Sequence, residues 1–155
     1  MFVELIEQSE LAQALRQSLW LYPIVNTLHI LGFALLLGSA ITLDLRLLGL
    51  WSKVPLSGLV YVLRPIMFVG FILATSFGLL LFITNAADYL NSSLFISKLL
   101  LIALVVFNAV LLNQSSCWSR ALNTNHCNLR LKGQALVSLI LWITIMFLGR
   151  FIGYR

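Results

Sequence analysis

No charged side chain occurs between Arg16 and Asp44, and the stretch "WLYPIVNTLHILGFALLLGSA" inside that interval is almost wholly apolar. Three further runs share this character: Pro65 to Thr84, Leu94 to Leu112 with Lys98 as its one charge, and Gly133 to Ile152 with Arg150 as its one charge. With Trp20 to Leu43 they make four segments near the roughly 20 residues that cross a hydrocarbon core. Lipid cannot satisfy loose backbone N–H and C=O groups, so such segments must be helical. Short connections between them predict an all-α, integral membrane, antiparallel four-helix bundle occupying residues 1–155 as one domain. The composition leaves little alternative. Of 155 residues 61% are hydrophobic and 10% charged, against about 25% charged in a soluble domain. The net charge of +5 comes from basic residues scattered singly beside apolar runs. That pattern marks membrane topology and argues against nucleic acid as a partner.

The first nineteen residues, "MFVELIEQSELAQALRQSL", open acidic and lack the positive start of a cleavable signal. Leu5, Ala12, Leu15 and Leu19 share one helical face, with Glu7, Glu10 and Gln17 turned elsewhere. This predicts an amphipathic helix over 1–19, lying at the interface, with Ser9 as an internal cap. Four spans put both termini on one side. That side carries Arg16, Lys98, Arg150 and Arg155; the other carries Arg46, Lys53, Arg64, Arg120, Arg130 and Lys132. The positive-inside rule therefore assigns the 44–64 and 113–132 loops to the cytoplasm and both termini to the outer side.

Antiparallel geometry then gathers most of the polar membrane residues into one leaflet half. Asn26 and His29 lie in the first turns of span one, Asn85 and Asp88 at the end of span two, Lys98 near the start of span three and Arg150 near the end of span four. Asn26 is one turn before His29 on the same face, and Tyr22 and Phe33 continue the stripe. Polar groups at membrane depth turn to the bundle interior or to a cavity. His29 has two readings: a structural bond to a neighbouring helix, or a ligand or proton-handling role. Lys98 and Arg150, taken singly, snorkel to headgroups. Together with His29 they suit an anionic or carbonyl-bearing ligand, with haem propionates or a quinone head group as candidates. His29 would ligate a haem iron, and Met146, at similar depth, offers a possible second ligand. In the other half, Asp44 and Arg46 read as an interfacial charge pair.

Other motifs carry less. Cys117, His126 and Cys127 form Cys-x8-His-Cys, a spacing that fits no standard zinc module; the segment "NQSSCWSRALNTNHCNLRLKG" reads as a solvated loop holding reduced thiols. Gly70, Ala74 and Gly78 form a small-residue face on span two, and Ala34 and Gly38 one on span one. No Ser-His-Asp set or paired carboxylates occupy the spans, so a stand-alone enzyme is not expected.

The segments "WLYPIVNTLHILG", "DLRLLGL", "LFISKLLL" and "LGRFIGYR" resemble a family of small bacterial four-helix inner-membrane proteins of unknown function. The resemblance covers nearly the whole chain. It rests most on Trp20-x-Tyr22-Pro23 with Asn26, His29 and Gly32, and on Asp44-Leu45-Arg46. It implies the fold and a multi-pass place in a bacterial inner membrane with periplasmic termini. In layout the family is loosely similar to copper-resistance membrane proteins and small b-type cytochromes. Where that pattern carries further histidines near the ends of spans two and three, this chain has Asn85 and Asn113.

Three functions follow as expectations. The first is a redox subunit binding haem b or quinone through His29, Asn26, Lys98, Arg150, Tyr22 and Asn85, serving electron transfer in a respiratory-type complex. The second is a structural or assembly subunit of a larger membrane complex without cofactor. The third is a transporter of copper or another small solute, which has no Met or Cys ladder to support it. Partners are lipid and other membrane subunits or further copies of the chain. The orientation is tested by single cysteines: one at Ser57 should be protected from an impermeant thiol reagent in intact cells, and one at Ser92 labelled. The reverse pattern overturns the orientation.

Overall fold

The structure, a computed structural model, describes residues 7–153. Seven helices are present among them: α1 (Glu10–Gln17), α2 (Leu21–Leu48), α3 (Leu56–Thr84), α4 (Ala86–Asn91), α5 (Ser93–Gln114), α6 (Ser116–Thr124) and α7 (Leu129–Ile152). Four of them, α2, α3, α5 and α7, are long and apolar enough to cross a membrane. The chain is an all-α, multi-pass membrane bundle, and its outer face presents Leu31, Phe68, Leu100, Phe107, Ile140 and Phe147 to lipid.

The spans run up and down alternately. α2 packs along α3 with Gly32 against Ala74 and Gly70 against Leu36, an antiparallel register. α2 also packs on α7, and α7 on α5. Among the described residues no Cα of α3 comes within 8 Å of a Cα of α5. Side chains bridge that wider space: Phe82 stacks on Phe95 at 5.6 Å between centroids, and Arg64 donates to Asn113 Oδ1 at 3.4 Å.

Backbone contact between α2 and α3 is closer than any side chain allows. A Cβ added to Gly32 would lie 2.5 Å from the Ala74 nitrogen, and one added to Gly70 would lie 2.6 Å from the Leu36 nitrogen and 2.8 Å from the Gly32 oxygen. The small face expected on α3 is therefore used. Its counterpart on α2 is Gly32, because Gly38 faces open space. In the mid-membrane core Leu36, Ala40, Val105, Trp142 and Ile145 pack together, with Phe33 edge-on to Trp142 at 6.5 Å.

Several boundaries differ from expectation: α2 runs on to Leu48 past the expected Leu43, and α7 starts at Leu129 before the expected Gly133. α3 starts at Leu56, with Pro65 inside the helix; membrane helices tolerate such a proline because neighbouring elements re-satisfy the freed carbonyl. The expected loop 113–132 contains α6, capped by Ser115 Oγ on the Trp118 N–H at 3.2 Å. Trp118 and Ala121, three residues apart, are buried with Leu47, Leu56, Leu131 and Ala135, so the segment is an amphipathic lid on the bundle end. At the other end α1 is capped by Ser9, whose Oγ accepts from the Ala12 N–H, and it buries Ala12 and Leu15. Leu19 is exposed instead, and Leu5 lies outside the described residues. Arg16 donates to the Thr84 and Glu7 carbonyls, and Glu7 Oε1 accepts from the Ala87 N–H at 2.8 Å, tying this segment to the α3–α4 turn.

The expected pairing of Asp44 with Arg46 does not form. Positions i and i+2 of a helix point apart. Arg46, 2% exposed, donates to the Val54 oxygen at 2.9 and 3.0 Å, to the Ser52 oxygen at 3.1 Å and to Asn125 Oδ1 at 2.8 Å. Asn125, left-handed at φ 61°, accepts from the Leu56 N–H with the same oxygen. One arginine thus joins the α2–α3 turn to the α6–α7 turn.

Gly32→Ala and Gly70→Ala should each destabilise the protein by about 1–3 kcal/mol, because the methyl meets backbone that can yield only by separating the helices. Gly38→Ala, with open space around it, should be neutral or stabilising by up to about 1 kcal/mol. Thermal unfolding in detergent checks the contrast.

Candidate functional site

The close approach of α2 and α3 fixes His29. Its Nδ1 donates to the Ala74 carbonyl across the interface at 2.8 Å. Helical carbonyls are ordinarily taken by their own helix, so this is a second bond to an oxygen with two lone pairs. The imidazole lies on Gly78, where an added Cβ would be 2.9 Å from Cε1 and 3.1 Å from Nδ1. With the proton placed on Nδ1, Nε2 keeps its lone pair, as in a metal-ligating histidine oriented by a carbonyl.

Lys98 of α5 is half-buried and close enough for its charge to act on the His29 ring. Its Nζ rests at Gly149 of α7, where an added Cβ would be 3.7 Å away. All four spans contribute residues to this part of the bundle: His29 of α2 lies on Ala74 and Gly78 of α3, and Lys98 of α5 lies on Gly149 of α7. Glycine at 78 and 149 leaves room for the two polar side chains.

The other expected site residues stand around this centre in different states. Asn26 is half-buried, one turn before His29. Tyr22 is exposed and lies beside Tyr89. Burial first, and Tyr22 second, push the Tyr89 phenol above its ordinary value. Tyr89 also stacks with Phe82 and Phe95, closing the end of the bundle between α3 and α5. Asn85 is exposed at the α3–α4 turn, and its amide donates to Asp88 Oδ2 at 2.7 Å. Arg150 is on the exposed last turn of α7. Met146 is 42% exposed, on the side of α7 away from the buried Ile145.

Among the described residues no three His, Cys, Asp or Glu side chains converge as a metal site. Cys117 accepts from the Asn128 amide at 3.1 Å, whereas His126 and Cys127 line a cleft with Arg46, Asn125 and Lys132. Asp44, which the sequence reading paired with Arg46 at the interface, is 6% exposed inside α2. It lies one turn before the end of α2 at Leu48, beyond the Leu43 limit that the sequence suggested for the span.

No protein-family model, no curated protein and no solved structure matches this chain.

Gly78→Ala should destabilise the bundle by displacing the imidazole from Ala74. In a His29→Ala background the same change should be nearly neutral, since the space is then open. A coupling of about 1–2 kcal/mol between the two substitutions, measured by thermal unfolding of the four variants, is the expected result.

Proposed function

We propose that this chain is a small bacterial inner-membrane subunit, both termini periplasmic, that binds a quinone head group at His29 and Lys98 and serves electron transfer in a larger membrane complex. The observation that carries the reading is the His29 Nδ1 bond to the Ala74 carbonyl. It directs the remaining lone pair on Nε2 toward a ligand, beside a lysine able to donate. Lys98 suits a carbonyl oxygen of the oxidised ring. Nε2 suits the hydroxyl proton of the reduced ring. Arg150 and Asn26 flank the head group in this arrangement.

Haem b is the second reading, favoured by the same carbonyl-oriented imidazole, which is how an axial histidine is held. It lacks a strong second ligand, because Met146 is turned outward and His126 lies at the other end of the bundle.

His29→Gln keeps a donor for Ala74, and membrane hydrogen bonds contribute only about 0.6 kcal/mol on average. The variant should therefore insert and fold while losing at least about tenfold of the quinone that organic extraction recovers from wild-type protein. Lys98→Met should lower it in the same direction. A Soret band in the purified wild type, lost in His29→Gln, selects haem. Protein with neither quinone nor haem, and unaffected by either substitution, leaves an assembly subunit or a solute carrier.

A further inference from the structure

The second polar centre lies in the opposite half of the bundle. Asp44 is about 22 Å along α2 from His29, fifteen residues at the helical rise, so the two do not share a pocket. Asp44 is 94% buried, the complement of its 6% exposure, and its Oδ2 has no hydrogen-bond partner among the described residues. The side chain of Ser138 on α7 stands near the Asp44 carboxyl. One turn before Ser138 on the same face, Gln134 also buries an oxygen, Oε1, without a partner. Behind it, Asn108 of α5 donates to the Gln134 carbonyl at 3.1 Å. Asp44 Oδ2 and Gln134 Oε1 are each a buried acceptor without a donor, on helices packed against each other.

The charges on the surrounding elements are engaged elsewhere. Arg46, on α2 itself, holds the turn carbonyls and Asn125. Arg64 of α3 reaches Asn113. Lys132 of α7 lines the cleft at the bundle end. An ionised carboxylate buried in the bundle without a cation beside it is costly. A proton on Oδ2 removes the charge and turns one orphan acceptor into a donor.

We infer that Asp44, with Ser138 and Gln134, is a proton-binding site in the interior of the bundle, separate from the His29 centre. Its ligand is the proton. Two free oxygens and a hydroxyl are too few for a sodium ion, which takes several oxygen ligands as other hard cations do.

The test is infrared difference spectroscopy of wild-type and Asp44→Asn protein at neutral pH. The expected result is a protonated-carboxyl C=O band in the wild type that is absent from the variant, with unchanged thermal stability, because Asn supplies a donor where the protonated acid had one. No such band, in folded wild-type protein, overturns the inference. A second measurement uses dicyclohexylcarbodiimide, which reacts with protonated carboxyls in apolar surroundings. An adduct on the Asp44 peptide that diminishes in alkaline buffer and is indifferent to sodium chloride supports the proton site. Protection of Asp44 by sodium overturns it in favour of a metal-cation site.

Discussion

The contact between α2 and α3 at Gly32 and Gly70 controls more of this structure than any other. In water a hydrophobic core would hold two such helices together, but lipid tails are as apolar as leucine, so association in a membrane depends on close packing and on the few polar bonds available. Removing the side chain at both positions lets the backbones approach within the distance of a methyl group. That approach brings the Ala74 carbonyl within reach of His29 and presses the ring onto Gly78. The geometry of the candidate site is thus a consequence of helix packing, and bulk introduced at Gly32 would act on His29 without touching it.

The two ends of the bundle are closed by different means. At the α2–α3 turn, Arg46 supplies hydrogen to two backbone carbonyls and to Asn125, groups that would otherwise compete for water near the membrane surface. The cation needs no carboxylate to be satisfied there, and Asp44 is left to face α7. At the other end, the rings of Phe82, Tyr89 and Phe95 stack across α3, α4 and α5, while Arg16 and Glu7 pin the first helix to the same corner. Between them lie two separate polar centres, one built on an imidazole and one on a carboxyl.

The all-α membrane bundle with four long apolar helices was legible, because long uncharged runs have a single solution in lipid. The convergence of His29 and Lys98 was legible for a related reason: alternating direction places those residues at one depth whatever the packing. What depth could not supply was azimuth. Spacing marked Ala34 and Gly38 as the small face of span one, and only the helix crossing decides that Gly32 meets α3. Asp44 and Arg46 looked paired by nearness in sequence, although a helix separates such neighbours. Met146 matched His29 in depth but turns outward. The α6 lid was hidden by Ser and Asn residues that resemble a loop, with Trp118 and Ala121 too few to announce an amphipathic helix.

The central claim is that His29 donates from Nδ1 to Ala74 and keeps a lone pair on Nε2. The chain has two histidines, so nitrogen-15 NMR of histidine-labelled protein in lipid resolves them, with a His126→Gln sample for assignment. The account predicts a His29 ring whose Nδ1 carries the proton and whose Nε2 does not. A proton found on Nε2, with Nδ1 bare, would contradict it.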